Sequence, residues 1–194
     1  MTEVLLLLFH HAQGLTPGVR AFADELRGAG HTVHTPDLYG GGETFPTVRE
    51  GVAHARGIGF ATILGRGKEI AEGLPNELVY AGMSMGVMPA QMLAQTRSGA
   101  KGALLCFGTL PPTEFGEAWP NDVPVQIHMK ENDPEVLEGD LDAARELADT
   151  IERAELFLYP GDQHLFVDNS LPDYDEAAAG LMTQRLLAFL DGLG

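Results

Sequence analysis

Residues 82 to 86 read Gly82-Met83-Ser84-Met85-Gly86, a serine held between two glycines directly after the apolar run Leu78-Val79-Tyr80-Ala81. A periodic segment with Met88, Met92 and Leu93 follows. In that setting the pattern predicts a sharp strand-to-helix turn that lifts the serine hydroxyl above a sheet, with the glycines allowing backbones to pass close together. The turn also brings the Met85 N–H to the start of a helix, where a developing oxyanion can be stabilised. A serine so placed is a candidate nucleophile and needs a histidine and a carboxylate to activate it. Lys130-Glu131-Asn132-Asp133-Pro134 follows one predicted strand, and Pro160-Gly161-Asp162-Gln163-His164 follows the last. The order serine, acid, histidine is the one expected of this geometry, so Ser84, Asp133 and His164 are the candidate catalytic residues. Glu131 is the nearest rival acid. Singly, Ser84 and Asp133 would serve as helix caps and His164 as a polar loop residue. Their joint arrival at strand ends favours chemistry.

The second oxyanion donor is expected in the loop after the first strand, His10-His11-Ala12-Gln13-Gly14, at the backbone N–H of Ala12. Adjacent histidines diverge, and no Cys-rich or His-x-x-x-His spacing accompanies them, so neither metal nor cofactor is expected. Pocket walls are expected from His11, Tyr39, Phe45, Trp119 and Phe166, with Phe115 a further candidate.

The elements that must position these residues are short apolar runs alternating with amphipathic segments, the signature of βαβ units and a parallel sheet. Strands are predicted over 4–9, 31–36, 78–81, 102–107, 123–129 and 155–159. Unbroken apolar runs such as Leu5-Leu6-Leu7-Leu8 suit strands covered on both faces. Helices are predicted over 17–29, 85–96, 135–153 (a stripe of Val136, Leu137, Leu141, Ala144, Leu147, Ala148 and Ile151) and 174–193. The stretch 40–67 is glycine-rich and then reads as one helix. The expected fold is a single α/β-hydrolase domain over 1–194, a mostly parallel sheet of about six strands with helices on both faces.

Twelve Lys and Arg against 28 Asp and Glu give a net charge of −16. A chain this acidic repels phosphate backbones and anionic lipid, so neither nucleic acid nor membrane is an expected partner. The partner expected is a small-molecule substrate, bound by a monomer or homodimer. The single cysteine, Cys106, sits in an apolar run and reads as a buried thiol. The apolar segment 4–9 lacks a basic flank and a cleavage site, which argues against a signal peptide and for the cytoplasm.

The chain resembles the dienelactone hydrolase family over nearly its whole length. The resemblance is carried by Phe9-His10-His11-Ala12-Gln13-Gly14-Leu15, by Thr35-Pro36-Asp37-Leu38-Tyr39, by Gly82 to Gly86, and by Tyr159-Pro160-Gly161-Asp162-Gln163-His164-Leu165-Phe166. It implies a lidless α/β hydrolase acting on an ester or lactone, with the first strand here matching the family's third. Members that open dienelactones use a cysteine where this chain has Ser84. They bind the substrate carboxylate with arginines at positions that align with Gly41 and Asp168. The expected activity is therefore hydrolysis of a carboxylic ester or lactone through an acyl-enzyme, with neutral substrates preferred. A non-catalytic binding module has no need of an activated serine, and an acyltransferase or C–C hydrolase on the same residues is the other alternative.

Overall fold

The structure is a computed structural model and describes residues 3–116, 118–136 and 139–193. Among these residues six strands form one sheet: β1 (Leu5–Phe9), β2 (Thr32–His34), β3 (Val79–Met83), β4 (Gly102–Cys106), β5 (Val125–Lys130) and β6 (Ala154–Tyr159). Their order is β2-β1-β3-β4-β5-β6, and every neighbouring pair is parallel. The chain runs outward from β1 to β2, then returns to pair β3 on the other side of β1. The reversal opens a crevice at the carboxyl ends of β1 and β3, where open α/β sheets bind ligands. Burial follows from parallel topology: all residues of β3, β4 and β5 are buried, whereas the edge strand β6 is mostly half-exposed.

The helices are α1 (Pro17–Gly28), α2 (Val48–Ile58), α3 (Phe60–Glu72), α4 (Val87–Thr96), α5 (Asp140–Thr150) and α6 (Glu176–Asp191). Thr16, Thr47 and Asp175 cap α1, α2 and α6 by accepting backbone N–H bonds. Two apolar layers sandwich the sheet. One includes Leu7, Phe9, Tyr80 and Ile127 beneath α3, α4 and α5; the other includes Leu6, Leu8, Val79 and Leu104 beneath α1 and α6. Alternate β1 residues thus enter opposite layers, as strand geometry requires.

Three expectations are corrected. The helix predicted after Gly40 is two helices, broken at Gly59, whose φ of +94° no helix interior accepts. The helix predicted over 135–153 begins only at Asp140, directly after Gly139, whose φ of +127° no helix interior accepts; Leu137 lies outside the described residues. Strand β3 reaches Met83, so the first two residues of the serine motif are themselves strand. Among the described residues no helix is long and apolar enough to cross a membrane.

Buried histidines link this fold to pH. His128 in β5 lies between the Tyr159 hydroxyl and Gln126 Oε1, each at 2.9 Å, and is fully buried. Burial, aided by the charge of Arg185, pushes its pKa down to about 3; burial likewise lowers His10 to about 4. Between these values and the unfolded value near 6.5, only the unfolded chain binds the proton. Stability therefore falls as pH falls below about 6.5, at up to ~1.4 kcal/mol per pH unit for each ring. We expect His128→Gln to reduce the slope of unfolding free energy against pH between 6 and 5 by about that amount. An unchanged slope in denaturant melts would show that His128 is charged in the folded protein.

Candidate active site

At the end of β3 the chain turns through Ser84 with φ +50°, a left-handed conformation that non-glycine residues rarely adopt. A 3-10 turn over Ser84–Gly86 leads into α4. Glycine is required on both sides for steric reasons. A Cβ on Gly82 would lie 2.2 Å from the Gly86 carbonyl oxygen, and one on Gly86 would lie 2.4 Å from that of Phe9. The strained turn is thus wedged against the exit of β1 by backbone contacts that cannot yield.

Ser84 Oγ lies 2.8 Å from His164 Nε2, and His164 Nδ1 lies 2.6 Å from Asp133 Oδ2. With Nδ1–H donating to the carboxylate, Nε2 is free to accept the serine proton. Asp133 is fully buried and uses its other oxygen to accept the Glu135 N–H at 2.9 Å. It therefore caps the turn after β5 and holds the imidazole. Glu131, the rival acid, is exposed.

The loops carrying these residues are fastened to each other. The Asn132 N–H donates to the Gly161 carbonyl at 3.1 Å. Buried Lys130 donates to the Pro160 carbonyl at 2.8 Å and pairs with Asp175 at 2.6 Å. After β1, His10 accepts the Leu38 N–H at Nε2 and donates from Nδ1 to the His11 carbonyl. His11 accepts the Gln13 N–H at Nδ1 and donates from Nε2 to Asp168 at 2.8 Å. Burial would raise the Asp168 carboxyl, but hydrogen bonds from His11, Ser170 and Thr16 outweigh it and hold the pKa near 2. Burial lowers the His11 pKa, against the opposing pull of that carboxylate.

A cavity of about 240 Å³ opens beside Ser84, and Ala12, Met85 and His164 share its lining. Its apolar walls come from Val48, Val52 and Phe60 of α2 and α3, from Val87 and Met88 of α4, and from Phe107 to Leu110 after β4. Phe107 also has a positive φ, +66°, and packs edge-on to His164.

Comparison with known proteins places the chain in a family. The model of the dienelactone hydrolase family matches residues 3–193. The chain belongs to the dienelactone hydrolase family. Among solved structures, it resembles a Klebsiella pneumoniae protein assigned as a dienelactone hydrolase, at TM-score 0.76 and 17% identity over 97% of this chain and 87% of that one. It also resembles a dienelactone hydrolase-like promiscuous phosphotriesterase from metagenomic libraries, at TM-score 0.74 and 17% identity over 98% and 87%. A third is esterase PE8, at TM-score 0.65 and 18% identity over 100% and 94%. No curated protein sequence matches the chain.

Within this dienelactone hydrolase family member, the aromatic residues expected to line the pocket stand one layer behind it. The buried Tyr39 hydroxyl donates to the Ala12 carbonyl at 2.5 Å and lies 3.6 Å from Met85 Sδ, so it braces the loop that borders the cavity. Phe45 packs edge-on to Tyr39. Phe166 is buried against Phe107 and Tyr159. Trp119 is a core residue whose Nε1–H donates to the Val123 carbonyl at 2.7 Å. His11 is committed to Asp168, and Phe115 is absent from the cavity lining. Asp168 is also turned inward, so it does not repel a substrate as the alignment suggested. Among the described residues, the acidic ones on the cavity are Glu135 and Asp140. Both follow Asp133 closely, but nothing periodic in the sequence marks them; only the shortness of α5 brings Asp140 to the rim.

The glycine contacts predict contrasting outcomes. Gly86→Ala should cost more than ~3 kcal/mol, because its Cβ meets rigid backbone. Gly65→Ala, in α3 with nothing within 4 Å of the new Cβ, should stabilise by ~0.5–1 kcal/mol. Thermal melts of both variants check the pair, and a Gly86→Ala protein as stable as the parent would refute the wedge.

Proposed function

We propose that the protein is a serine hydrolase that cleaves a small carboxylic ester or lactone through an acyl-enzyme. The observation that carries this reading is the unbroken hydrogen-bonded line from Ser84 through His164 to Asp133, with the serine on a strained turn at the mouth of a mostly apolar cavity. Strain of order 1–3 kcal/mol is retained at a site when the position of the side chain matters.

In the proposed mechanism His164 Nε2 takes the Oγ proton as Ser84 attacks the carbonyl carbon. The imidazolium then returns that proton to the leaving alkoxide, and water repeats the sequence to release the acid. Asp133 fixes the tautomer and stabilises the imidazolium. The N–H groups of Ala12 and Met85 receive the oxyanion, each contributing roughly 3 kcal/mol of barrier reduction. Tyr39 acts as a positioning residue, since its hydrogen bond to the Ala12 carbonyl anchors the peptide unit that follows the one carrying the Ala12 N–H. Burial pushes the Tyr39 phenol up, so it remains a donor at any working pH.

Ser84→Ala should abolish hydrolysis of short-chain aryl esters and labelling by a fluorophosphonate, with the thermal midpoint nearly unmoved because no core volume is lost. Asp133→Asn should lower kcat by roughly 10³- to 10⁴-fold by favouring the wrong tautomer. A serine variant that keeps activity within a few fold of the parent would overturn the nucleophile assignment.

A further inference from the structure

The carboxylate of Asp140 has a place in the cavity that the proposed mechanism leaves unused. Asp140 is the first residue of α5 and is half-buried at the cavity wall. It lies near the backbone N–H of Thr109, another lining residue. Its Oδ2 stands against Gly108, where an added Cβ would come within 3.4 Å of it and 3.7 Å of the Ser84 carbonyl oxygen. The group therefore sits close to the serine turn, against the loop after β4.

The cations nearest this region are engaged or placed elsewhere. Arg66 donates to the carbonyls of Leu38 and Tyr39, at 2.7 and 2.6 Å. Arg49 and Arg56 face a neighbouring groove on the outer side of α2, and Glu135 borders both that groove and the cavity. No lysine or arginine lines the cavity among the described residues. Burial pushes the Asp140 carboxyl up to about 6, with the charge of Asp133 adding to the rise and that of His164 opposing it. At pH 8 it is ionised, on a wall that is otherwise largely apolar.

We propose that Asp140 is a specificity-determining residue that gives the cavity a preference for substrates bearing a quaternary or primary ammonium group over neutral isosteres, and for neutral isosteres over carboxylates. The proposal rests on the hydrolase reading above. An ammonium entering the cavity replaces its lost hydration with the Asp140 carboxylate, whereas a carboxylate meets a like charge in a poorly solvated site. Charge discrimination of this kind acts through both attraction and exclusion.

The test compares kcat/KM at pH 8 and low ionic strength for ester sets ending in trimethylammonium, tert-butyl or carboxylate. One set varies the acyl group and the other the alcohol. In at least one set the trimethylammonium ester should exceed its tert-butyl isostere by about tenfold, equivalent to ~1.4 kcal/mol in the transition state. That ratio should collapse toward unity in Asp140→Asn, which removes the charge at nearly constant shape, and persist in Asp140→Glu. A ratio near one in both sets, or a preference that survives in Asp140→Asn, overturns the proposal. Titration with tetramethylammonium, followed at the Thr109 amide by NMR, reads the same site without catalysis. Saturable shifts that vanish in Asp140→Asn support the assignment even if no ester is turned over, an outcome that would sink the hydrolase reading alone. Absence of such shifts in the parent protein counts against Asp140 whatever the esters do.

Discussion

Backbone contact at the serine turn governs the rest of this molecule. Gly86 lies so close to the carbonyls of Phe9 and His10 that even a methyl group would overlap them, and Gly82 lies as close to Gly86. Strand β1, its exit loop, strand β3 and helix α4 are therefore packed as one unit without intervening side chains. That contact forces Ser84 into a left-handed backbone conformation and sets the loop containing Ala12 beside it. Parallel pairing of β3 through β4 and β5 to β6 then decides where Asp133 and His164 can stand. In a parallel sheet all carboxyl ends share an edge, so side chains 80 residues apart in sequence meet at 2.8 Å.

The loops on that edge carry polar groups that would be costly to bury unpaired. The chain meets the cost by binding loop to loop. His10 links the first loop to Leu38, and His11 links it to Asp168; Lys130 joins the histidine loop to the start of α6. Each link consists of a buried polar side chain on one loop and a partner on another. Loss of one partner would leave the other desolvated, at roughly 1–3 kcal/mol for a neutral group and more for a charge. This arrangement makes the edge of the sheet stiff, which suits a site where geometry of a few tenths of an ångström matters.

Charge is distributed unevenly on this acidic chain. Asp168 is ionised but enclosed by donors, and Asp37 is lowered chiefly by the N–H groups that cluster on it, against the opposing effect of burial. Neither lines the cavity, whereas Asp140 and Glu135 do. Net charge says little about which sign a pocket prefers, since a buried and satisfied carboxylate counts in the total and not in the site.

The order and spacing of the chain were enough to place six strands, the turn at Ser84 and the two loops that supply Asp133 and His164. These depend on local physics: apolar runs long enough to be buried on both faces, glycines where backbones touch, and a serine, a carboxylate and a histidine that each follow a strand. Which side chains face the cavity depended on packing between distant segments. Tyr39, Phe45, Trp119 and Phe166 are large and aromatic, and the core claimed them because burying such area is favourable wherever a partner is available. The walls came instead from α2 and α3, whose break at Gly59 has no periodic signature, and from Phe107 to Leu110. Asp140 reached the rim because Gly139 delayed the start of α5. Composition and periodicity report how much a residue gains from burial; only the tertiary arrangement determines against what it is buried.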